Sequence, residues 1–429
     1  MIDARRAAWQ LLHAVGGGQL FEAARDRAVS GLSERDRRLA EEIAAGVLRR
    51  RRTLDREIKN VLGKRWATTE PEIRDLLRVG LYQLRHLERV PPYAAVQSTV
   101  EAAKPLGRKR AAFVNAVLRR VAGGRADGRS GGPHDAQTAR PPDRLTDLAQ
   151  RYSHPDWLVA RWLARYGPDP TAALLEHYNA RPPLVIQAAR WPRERIEGAL
   201  TAAQIEWREA PGGFGLMVQR SRPRELPGFD EGGFMVQGPG QSRLLAHAAV
   251  PAGAPVWDCC AAPGGKAVAL SARGPVVASD RGSKQLARLA ATVGRAGGQA
   301  DGRAIRIFAA DALRPPLAAA SLDVVWLDVP CTATGTMGRH PDARWRVSPR
   351  RLELAGRRQA ALLDGVAPVV RAGGLLVYST CSLEPEENET QVEAFLSRTP
   401  RFVRDRDDLT VWPPDSGSDG GYVAILRAR

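Results

Sequence analysis

Two cysteines, each following a predicted buried strand, carry the clearest chemical signal in this 429-residue chain. Cys331 ends the segment Asp328-Val329-Pro330-Cys331 after the apolar run LDVVWL, and Cys381 follows GLLVYST. Ligands of an open parallel sheet bind outside the carboxyl ends of its strands, so thiols at two strand ends can share one pocket. Because a thiolate is a strong nucleophile, this placement predicts covalent catalysis.

A third strand end is predicted to form a binding loop. Val256–Cys260 runs into Ala261-Ala262-Pro263-Gly264-Gly265-Lys266, and the apolar helical pattern AVALSARG follows. Glycines let the backbone approach a ligand closely, and a helix N-terminus offers unpaired N–H groups. The loop matches neither the dinucleotide pattern GxGxxG nor the triphosphate loop that ends in Lys-Ser/Thr. We therefore predict a small cofactor without phosphate groups.

Acidic residues end three successive predicted strands beyond the glycine loop, namely Asp280, Asp311 and Asp328. A carboxylate at the place of Asp280 accepts hydrogen bonds from ribose hydroxyls in related folds. One such Asp is weak evidence, because Asp commonly caps helices. Three in successive strands indicate a cofactor site.

The chain is strongly basic, with a formal net charge of +17, and the excess is uneven. Residues 1–125 carry 26 Lys and Arg against 14 Asp and Glu. A polyanion such as nucleic acid is the predicted partner. The alternative is that the Arg residues lie on the solvated faces of helices and bind no partner.

Cysteine content and hydropathy point to a reducing compartment. The four cysteines include no CxxC pair, which makes both a disulfide framework and a zinc site unexpected, so we predict no metal. The N-terminal segment lacks the apolar core of a signal peptide, and no stretch reaches the ~18 apolar residues of a membrane span. We expect a cytoplasmic protein that binds no membrane and is a monomer.

Composition and periodicity predict four regions. Residues 1–122 show helical spacing of apolar residues almost throughout, and residues 123–143 have the Gly-, Pro- and Arg-rich composition of a flexible linker. Residues 144–235 mix helices with short strands as a connecting subdomain. Residues 236–429 alternate strands and helices, which predicts a doubly wound parallel sheet. The last segment, from RFVR to the end, is predicted to add two antiparallel strands.

Four motifs together resemble those of a known family: VWDCCAAPGGK, DVPC, GRHPD (Gly338 to Asp342) and YSTCS followed by Glu386-Glu387-Asn388-Glu389. They are similar to the RNA cytosine-5 methyltransferases that use S-adenosylmethionine, and most similar to the RsmB (Fmu/Sun) group, which modifies 16S ribosomal RNA. In the front region, YAAVQ (93–97) and FVNAVLRR (113–120) resemble the NusB-like RNA-binding domain of that group. The implied fold is an all-α NusB-like domain followed by a Rossmann-like, class I α/β methyltransferase domain.

The resemblance implies a role for each motif residue. Cys381 would attack the base and Cys331 would assist product release, although the residues alone leave the choice open, because DNA cytosine-5 methyltransferases use the Pro-Cys cysteine as nucleophile. Asp328 would hydrogen-bond the base near N3 or N4, with Lys266 close enough to assist. Nearby cations and helix N-termini would lower the pKa of the thiols.

The resemblance also implies the cofactor site for S-adenosylmethionine. Asp280 would bind the ribose and Asp311 the adenine edge, while Asp328 lies beside them. The methionine part would be held by the motif loop, which comprises Cys260, Ala261, Ala262, Pro263, Gly264, Gly265 and Lys266. Cys259 is predicted to pack in the core. His340 and His154 are predicted to be structural or loop residues, with a general-base role for His340 as the less favoured interpretation.

Three functions remain open from the sequence. The first is methylation of a cytosine in 16S rRNA, the second is the same chemistry on tRNA, and the third is an RNA-binding or antitermination module with an inactive methyltransferase domain. The NusB-like front region favours rRNA as the partner. Intact Cys331, Cys381, Asp328 and Lys266 argue against the inactive module.

Overall fold

The computed structural model of this chain describes residues 3–123, 144–219, 222–296 and 305–429, and it divides into two compact units. We call them the helical unit, which comprises Met1–Ala180 with His340–Arg346, and the sheet unit, which comprises Arg181–Arg339 with Val347–Arg429. Within the described ranges, every helix is too short or too polar to span a lipid bilayer.

The helical unit is built from α-helices, as the periodicity predicts. They are α1 (Ala4–Gly16), α2 (Phe21–Ala28), α3 (Glu34–Leu62), α4 (Arg65–Thr68), α5 (Pro71–His86), α6 (Pro92–Ala103), α7 (Arg108–Gly123), α8 (Arg144–Arg151), α9 (Asp156–Tyr166), α10 (Pro168–Asn179) and α15 (Ala343–Arg346).

Helix α5 lies at the centre of this unit and is buried along most of its length. It accommodates one inward-facing cation, Arg78, whose Nε donates to Asp55 Oδ1 at 2.7 Å and whose Nη1 donates to Asp75 Oδ1 at 2.6 Å. A buried guanidinium is tolerated when carboxylates take up its donors in this way. Gly46 of α3 lets the ring of Tyr82 pack directly on the helix backbone, because a Cβ there would lie 2.0 Å from the ring.

The segment His340–Arg346 packs in the helical unit, although its neighbours in the chain belong to the sheet unit. Arg344 is fully buried and donates to the Tyr178 carbonyl at 2.9 Å and to Asn179 Oδ1 at 2.8 Å. The indole N–H of Trp345 donates to the Leu48 carbonyl at 2.8 Å. These contacts join residues far apart in the chain.

The sheet unit contains all the strands that the structure describes. They are β1 (Leu184–Ala188), β2 (Trp207–Glu209), β3 (Leu216–Val218), β4 (Phe234–Val236), β5 (Val256–Asp258), β6 (Val276–Asp280), β7 (Ile305–Ala309), β8 (Leu322–Asp328), β9 (Val370–Thr380), β10 (Phe402–Arg404), β11 (Leu409–Val411) and β12 (Gly421–Ala428). Its helices are α11 (Arg193–Ala202), α12 (Pro239–Ala248), α13 (Gly265–Ser271), α14 (Ser283–Ala296), α16 (Pro349–Val366), α17 (Glu389–Arg398) and α18 (Pro413–Ser416).

These strands form two sheets. The small one is antiparallel, in the order β2-β3-β1-β4, and the large one has the order β10-β12-β9-β8-β5-β6-β7, with β11 also paired to β12. Strands β5 to β9 run parallel, and β12 is antiparallel to β9. The order reverses between β5 and β8, where a ligand crevice is expected.

The core of the large sheet explains the apolar runs in the sequence. Along β8, Val324 and Trp326 pack on one face while Val325 and Leu327 pack on the other. Because both faces are covered, the strand reads as a continuous hydrophobic run rather than an alternating one.

The predicted helical front region and α/β sheet are confirmed, whereas the prediction of two strands at the end of the chain is wrong. Three strands form there, because the polar residues of DRDD (405–408) separate β10 from β11. Of the predicted linker, residues 124–143 lie outside the described residues. The predicted connecting subdomain, 144–235, is divided between the two units at Ala180 and Arg181, because α8, α9 and α10 belong to the helical unit whereas α11 and the strands of the small sheet belong to the sheet unit. The other boundaries stay a prediction.

Candidate active site

A cavity of about 370 Å³ lies in the sheet unit beside the carboxyl ends of the central parallel strands. This volume is within the range of small-molecule sites. Seven of the residues predicted from the sequence line it: Cys260, Ala262, Asp280, Asp311, Asp328, Cys331 and Cys381. Of the other predicted residues, Lys266 contacts this wall through Asp328, while Ala261 is buried and Pro263 is exposed.

The two strand-end thiols meet in this cavity. The sulfur atoms of Cys331 and Cys381 are 2.9 Å apart, and both side chains are partly buried. Cys381 directly follows the last residue of β9, and Cys331 lies three positions beyond the end of β8. Neighbouring parallel strands therefore bring together two residues that are far apart in sequence.

An ion pair between Lys266 and Asp328 lies at the same cavity as the thiols. Lys266 Nζ donates to Asp328 Oδ2 at 2.7 Å, and Ser379 Oγ donates to Asp328 Oδ1 at 2.8 Å. Burial alone would lower the pKa of Lys266, but the Asp328 carboxylate and, to a smaller extent, Cys381 outweigh it and raise the pKa. Lys266 thus stays protonated next to Cys381.

The thiol of Cys331 holds its proton tightly. Its hydrogen bond with Cys381, reinforced by burial and by the negative charge of Glu387, raises the pKa of Cys331 well above its usual value. The expectation that the surroundings lower the pKa of the thiols is therefore wrong for Cys331. The physical reason is that the hydrogen bond with Cys381, burial and the Glu387 charge all raise this pKa, and the backbone N–H of Ala333 offsets only part of the rise.

The glycine loop joins β5 to α13 with little free space. Gly264 has a φ of +111°, and a Cβ on it would lie 3.0 Å from Leu289. An L-residue would meet both backbone strain and this neighbour, so only glycine fits easily. The N–H of Ala262 donates to Asp280 Oδ2 at 3.4 Å, which ties the loop to the end of β6.

Two further carboxylates that line the cavity, those of Asp280 and Asp311, are suited to accept hydrogen bonds from hydroxyl and amine donors. Asp280 is partly buried and accepts the N–H of Arg281 at 2.8 Å through Oδ1. Asp311 follows β7 and accepts the N–H of Leu313 at 3.0 Å. Each carboxylate has lone pairs beyond these backbone bonds, and both side chains line the cavity. These acceptors fit a cationic cofactor that carries ribose hydroxyls.

Asp258, at the end of β5, is a buried acid to which the sequence analysis gave no role. It is fully buried, and neither of its carboxylate oxygens has a hydrogen-bond partner of standard geometry among the described residues. Burial, followed by repulsion from Asp328, raises the pKa of Asp258 to about 8, and the charge of Lys266 and, less, the backbone N–H of Cys260 offset part of this rise. Its position at a strand end beside the glycine loop was the available signal.

Three other residues were considered in the sequence analysis: Cys259, which lines the cavity, and His154 and His340, which belong to the helical unit. Cys259 is buried, and its thiol donates to the Trp326 carbonyl at 3.1 Å. His154 is fully buried in the helical unit, where burial lowers its pKa well below the usual value, as expected of a structural histidine. His340 Nδ1 lies 3.9 Å from Glu22 Oε1, both in the helical unit.

Comparison with known protein families gives a match to each of two regions of the chain. Residues 250–427 match the model of the 16S rRNA methyltransferase RsmB/F family, and residues 2–123 match the NusB family. The probable ribosomal RNA small subunit methyltransferase B of Synechocystis sp. is 34% identical, and the alignment covers 100% of each chain. The ribosomal RNA small subunit methyltransferase B of Vibrio cholerae is 32% identical, over 99% of this chain and 96% of that one.

Solved structures are similar in fold. The crystal structure of PH0851 superposes with a TM-score of 0.80 at 22% identity, covering 99% of this chain and 98% of that chain. The structure of NSun6 from Pyrococcus horikoshii has a TM-score of 0.55 at 18% identity and covers 64% of this chain and 98% of that one.

Asp258 predicts a pH dependence of stability. The unfolded chain releases this proton near the usual pKa of 3.8, whereas the folded chain keeps it until about pH 8. The folded state therefore binds more protons between these values, so this residue makes the free energy of unfolding fall as the pH rises from about 4 to about 8. Urea unfolding at a series of pH values should show a flatter profile for Asp258→Asn than for wild type.

The matched control is Asp407→Asn, which removes a carboxylate from an exposed position of the same unit and should keep the wild-type profile. Parallel profiles for Asp258→Asn and wild type would contradict the assignment.

Proposed function

Because the chain belongs to the 16S rRNA methyltransferase RsmB/F family and carries an N-terminal NusB domain, we propose that it methylates C5 of a cytosine in 16S rRNA and that Cys381 and Cys331 divide the covalent steps. The chain is an S-adenosylmethionine-dependent rRNA methyltransferase of this family. The observation that carries the division of labour is the 2.9 Å contact between two thiols beside the Lys266–Asp328 pair.

The chemistry requires a protein nucleophile. C5 of cytosine is too weak a nucleophile to take a methyl group directly, so a thiolate must first add to C6 and make C5 enamine-like. Cys381 is our candidate, because Lys266 lies near enough to stabilise its thiolate. The raised pKa of Cys331 leaves that neighbour as a thiol, which favours Cys381 as the attacking group.

Asp328 is the candidate for holding the base. Its carboxylate is already oriented by Lys266 and Ser379, and its side chain keeps 30% exposure. A carboxylate at this place accepts a hydrogen bond from the cytosine amino group or from a protonated N3. The N3 proton then neutralises the negative charge that the thiolate brings into the ring during addition, and the Asp328 carboxylate keeps that proton in place.

Cys331 is the candidate for product release. After methylation, the C5 proton passes to water as the base, the electrons of the C5–H bond form the C5–C6 double bond, and the bond between C6 and the Cys381 sulfur breaks with the sulfur departing as a thiolate. The sulfur of Cys331 lies 2.9 Å from that of Cys381, and its proton would stabilise the departing thiolate by a hydrogen bond. Without Cys331, the adduct should form but break down slowly.

The cofactor site is assigned to the part of the cavity that Asp280 and Asp311 line. When bound, S-adenosylmethionine supplies an electrophilic methyl group on a sulfonium. Asp280 would accept the ribose hydroxyls and Asp311 the adenine amino group, while Cys260–Lys266 would enclose the methionine part. Acids at the ends of β6 and β8 favour the positive charge of the sulfonium.

The basic helical unit is assigned to RNA contacts. Lys and Arg exceed Asp and Glu there, which supplies phosphate contacts, while the cavity supplies base identity. A cytosine must be unstacked before C6 can be reached, so a single-stranded loop is the favoured target. We propose that the protein acts in the cytoplasm as a monomer.

Variants of the two cysteines test the division of labour. Wild type, Cys381→Ala and Cys331→Ala are incubated with labelled S-adenosylmethionine and unmodified 16S rRNA, and the digested RNA is assayed for 5-methylcytidine. We expect product from wild type, at least a thousandfold less from Cys381→Ala, and a protein–RNA adduct that accumulates with Cys331→Ala. An adduct that accumulates only with Cys381→Ala would reverse the roles. Labelling of tRNA instead of rRNA would change only the substrate.

Variants of the cofactor wall test the assigned site. Asp280→Ala and Asp311→Ala each remove a charged hydrogen-bond acceptor, so calorimetric titration should show S-adenosylmethionine binding weakened by about tenfold or more. Asp407→Ala is the matched surface control and should bind as wild type does. Unchanged affinity in both wall variants would contradict the site.

A further inference from the structure

Glu387 is a fully buried carboxylate that four side-chain or backbone donors surround. Its Oε1 accepts the Thr332 N–H at 2.9 Å and Gln359 Nε2 at 2.9 Å. Its Oε2 accepts Ser382 Oγ at 2.5 Å and the hydroxyl of Thr332. A buried charge is expensive unless its lone pairs are satisfied, and these four bonds satisfy them.

The donors are the residues next to the two thiols. Thr332 directly follows Cys331, and Ser382 directly follows Cys381. One carboxylate therefore binds the chain immediately after each cysteine. Gln359 of α16 adds a third tie, since its Nε2 also donates to the carbonyl of Pro330, the residue before Cys331, at 3.1 Å.

Neighbouring side chains hold the backbone of Glu387 and the residues around Cys381. Asn388 accepts from Thr380 Oγ1 at 2.6 Å and donates to the Ser382 carbonyl at 3.0 Å, so it holds the residues on either side of Cys381. Tyr378 donates its hydroxyl to the Glu387 carbonyl at 2.6 Å. The network is buried and interconnected, which is the arrangement that restricts active-site groups to one geometry.

We propose that Glu387 is the positioning residue for both thiols, acting on Cys381 through Ser382 and on Cys331 through Thr332. This inference rests on the proposed function. Glu387 itself does not line the cavity; it acts through the residues that follow the two thiols. The negative charge of Glu387 has a second effect, because it helps to raise the pKa of Cys331 and so keeps that thiol protonated.

Glu387 reaches the two thiols through two separate arms, its bonds to Ser382 and to Thr332, so the inference can be tested for one thiol at a time. Ser382→Ala removes the bond to Glu387 on the side of Cys381, together with the contacts of Ser382 Oγ with Thr334 Oγ1 and the Glu384 N–H. Thr332→Val removes the hydroxyl bond to Glu387 on the side of Cys331 while keeping the shape of the side chain. Ser271→Ala is the matched control, because Ser271 is also buried in the sheet unit and its hydroxyl donates only to a carbonyl of its own helix, that of Val268, at 2.8 Å.

Single-turnover assays with S-adenosylmethionine and 16S rRNA would follow adduct on denaturing gels and 5-methylcytidine after digestion. We expect Ser382→Ala to form adduct about tenfold to a hundredfold more slowly, because small displacements of reacting atoms cost rate. We expect Thr332→Val to form adduct at close to the wild-type rate and to release it about tenfold more slowly. RNA affinity should stay unchanged in both variants.

Glu387→Ala cuts both arms and should impair both steps; if it fails to fold, the single-arm variants decide. Equal slowing of both steps in Ser382→Ala and Thr332→Val, or rates like those of Ser271→Ala, would overturn the inference. Wild-type protein that makes no 5-methylcytidine would instead contradict the proposed function, and the inference with it.

Discussion

The contact between the sulfur atoms of Cys331 and Cys381 is the feature on which the site depends. It exists because β8 and β9 are parallel neighbours, so their carboxyl ends meet at one edge of the sheet. The same constraint brings the ends of β5 and β6 to that edge, where the glycine loop and Asp280 lie. Sheet topology thus places both thiols, Asp328 and the glycine loop around one cavity.

The two thiols both follow a strand end in the sequence, but their charged neighbours in the structure differ. Lys266 lies beside Cys381, whereas Glu387 and the other sulfur face Cys331. Cys381 therefore has a cation close by, whereas the surroundings of Cys331 raise its pKa and hold its proton. This asymmetry is the physical argument for our proposal that Cys381 attacks the base.

The sequence predicted the strand-end residues well, because an apolar run that ends in Asp or Cys marks a strand end in a parallel sheet. Glu387 could not be given a role in this way: it lies in an acidic run that resembles a solvated surface, and its partners Thr332 and Gln359 are distant in sequence. The pKa direction of Cys331 and the packing of Arg344 in the helical unit likewise depend on long-range contacts. Such contacts leave no local pattern.

The central claim is that Cys381, and not Cys331, bonds to the base. An rRNA fragment whose target cytosine carries fluorine at C5 tests it most directly, because fluorine cannot leave as a proton and the adduct should persist after methyl transfer. The adduct would be digested with protease and nuclease, and the modified peptide identified by mass spectrometry. The account predicts the nucleotide on the peptide that contains Cys381; a nucleotide on the peptide that contains Cys331 would contradict it.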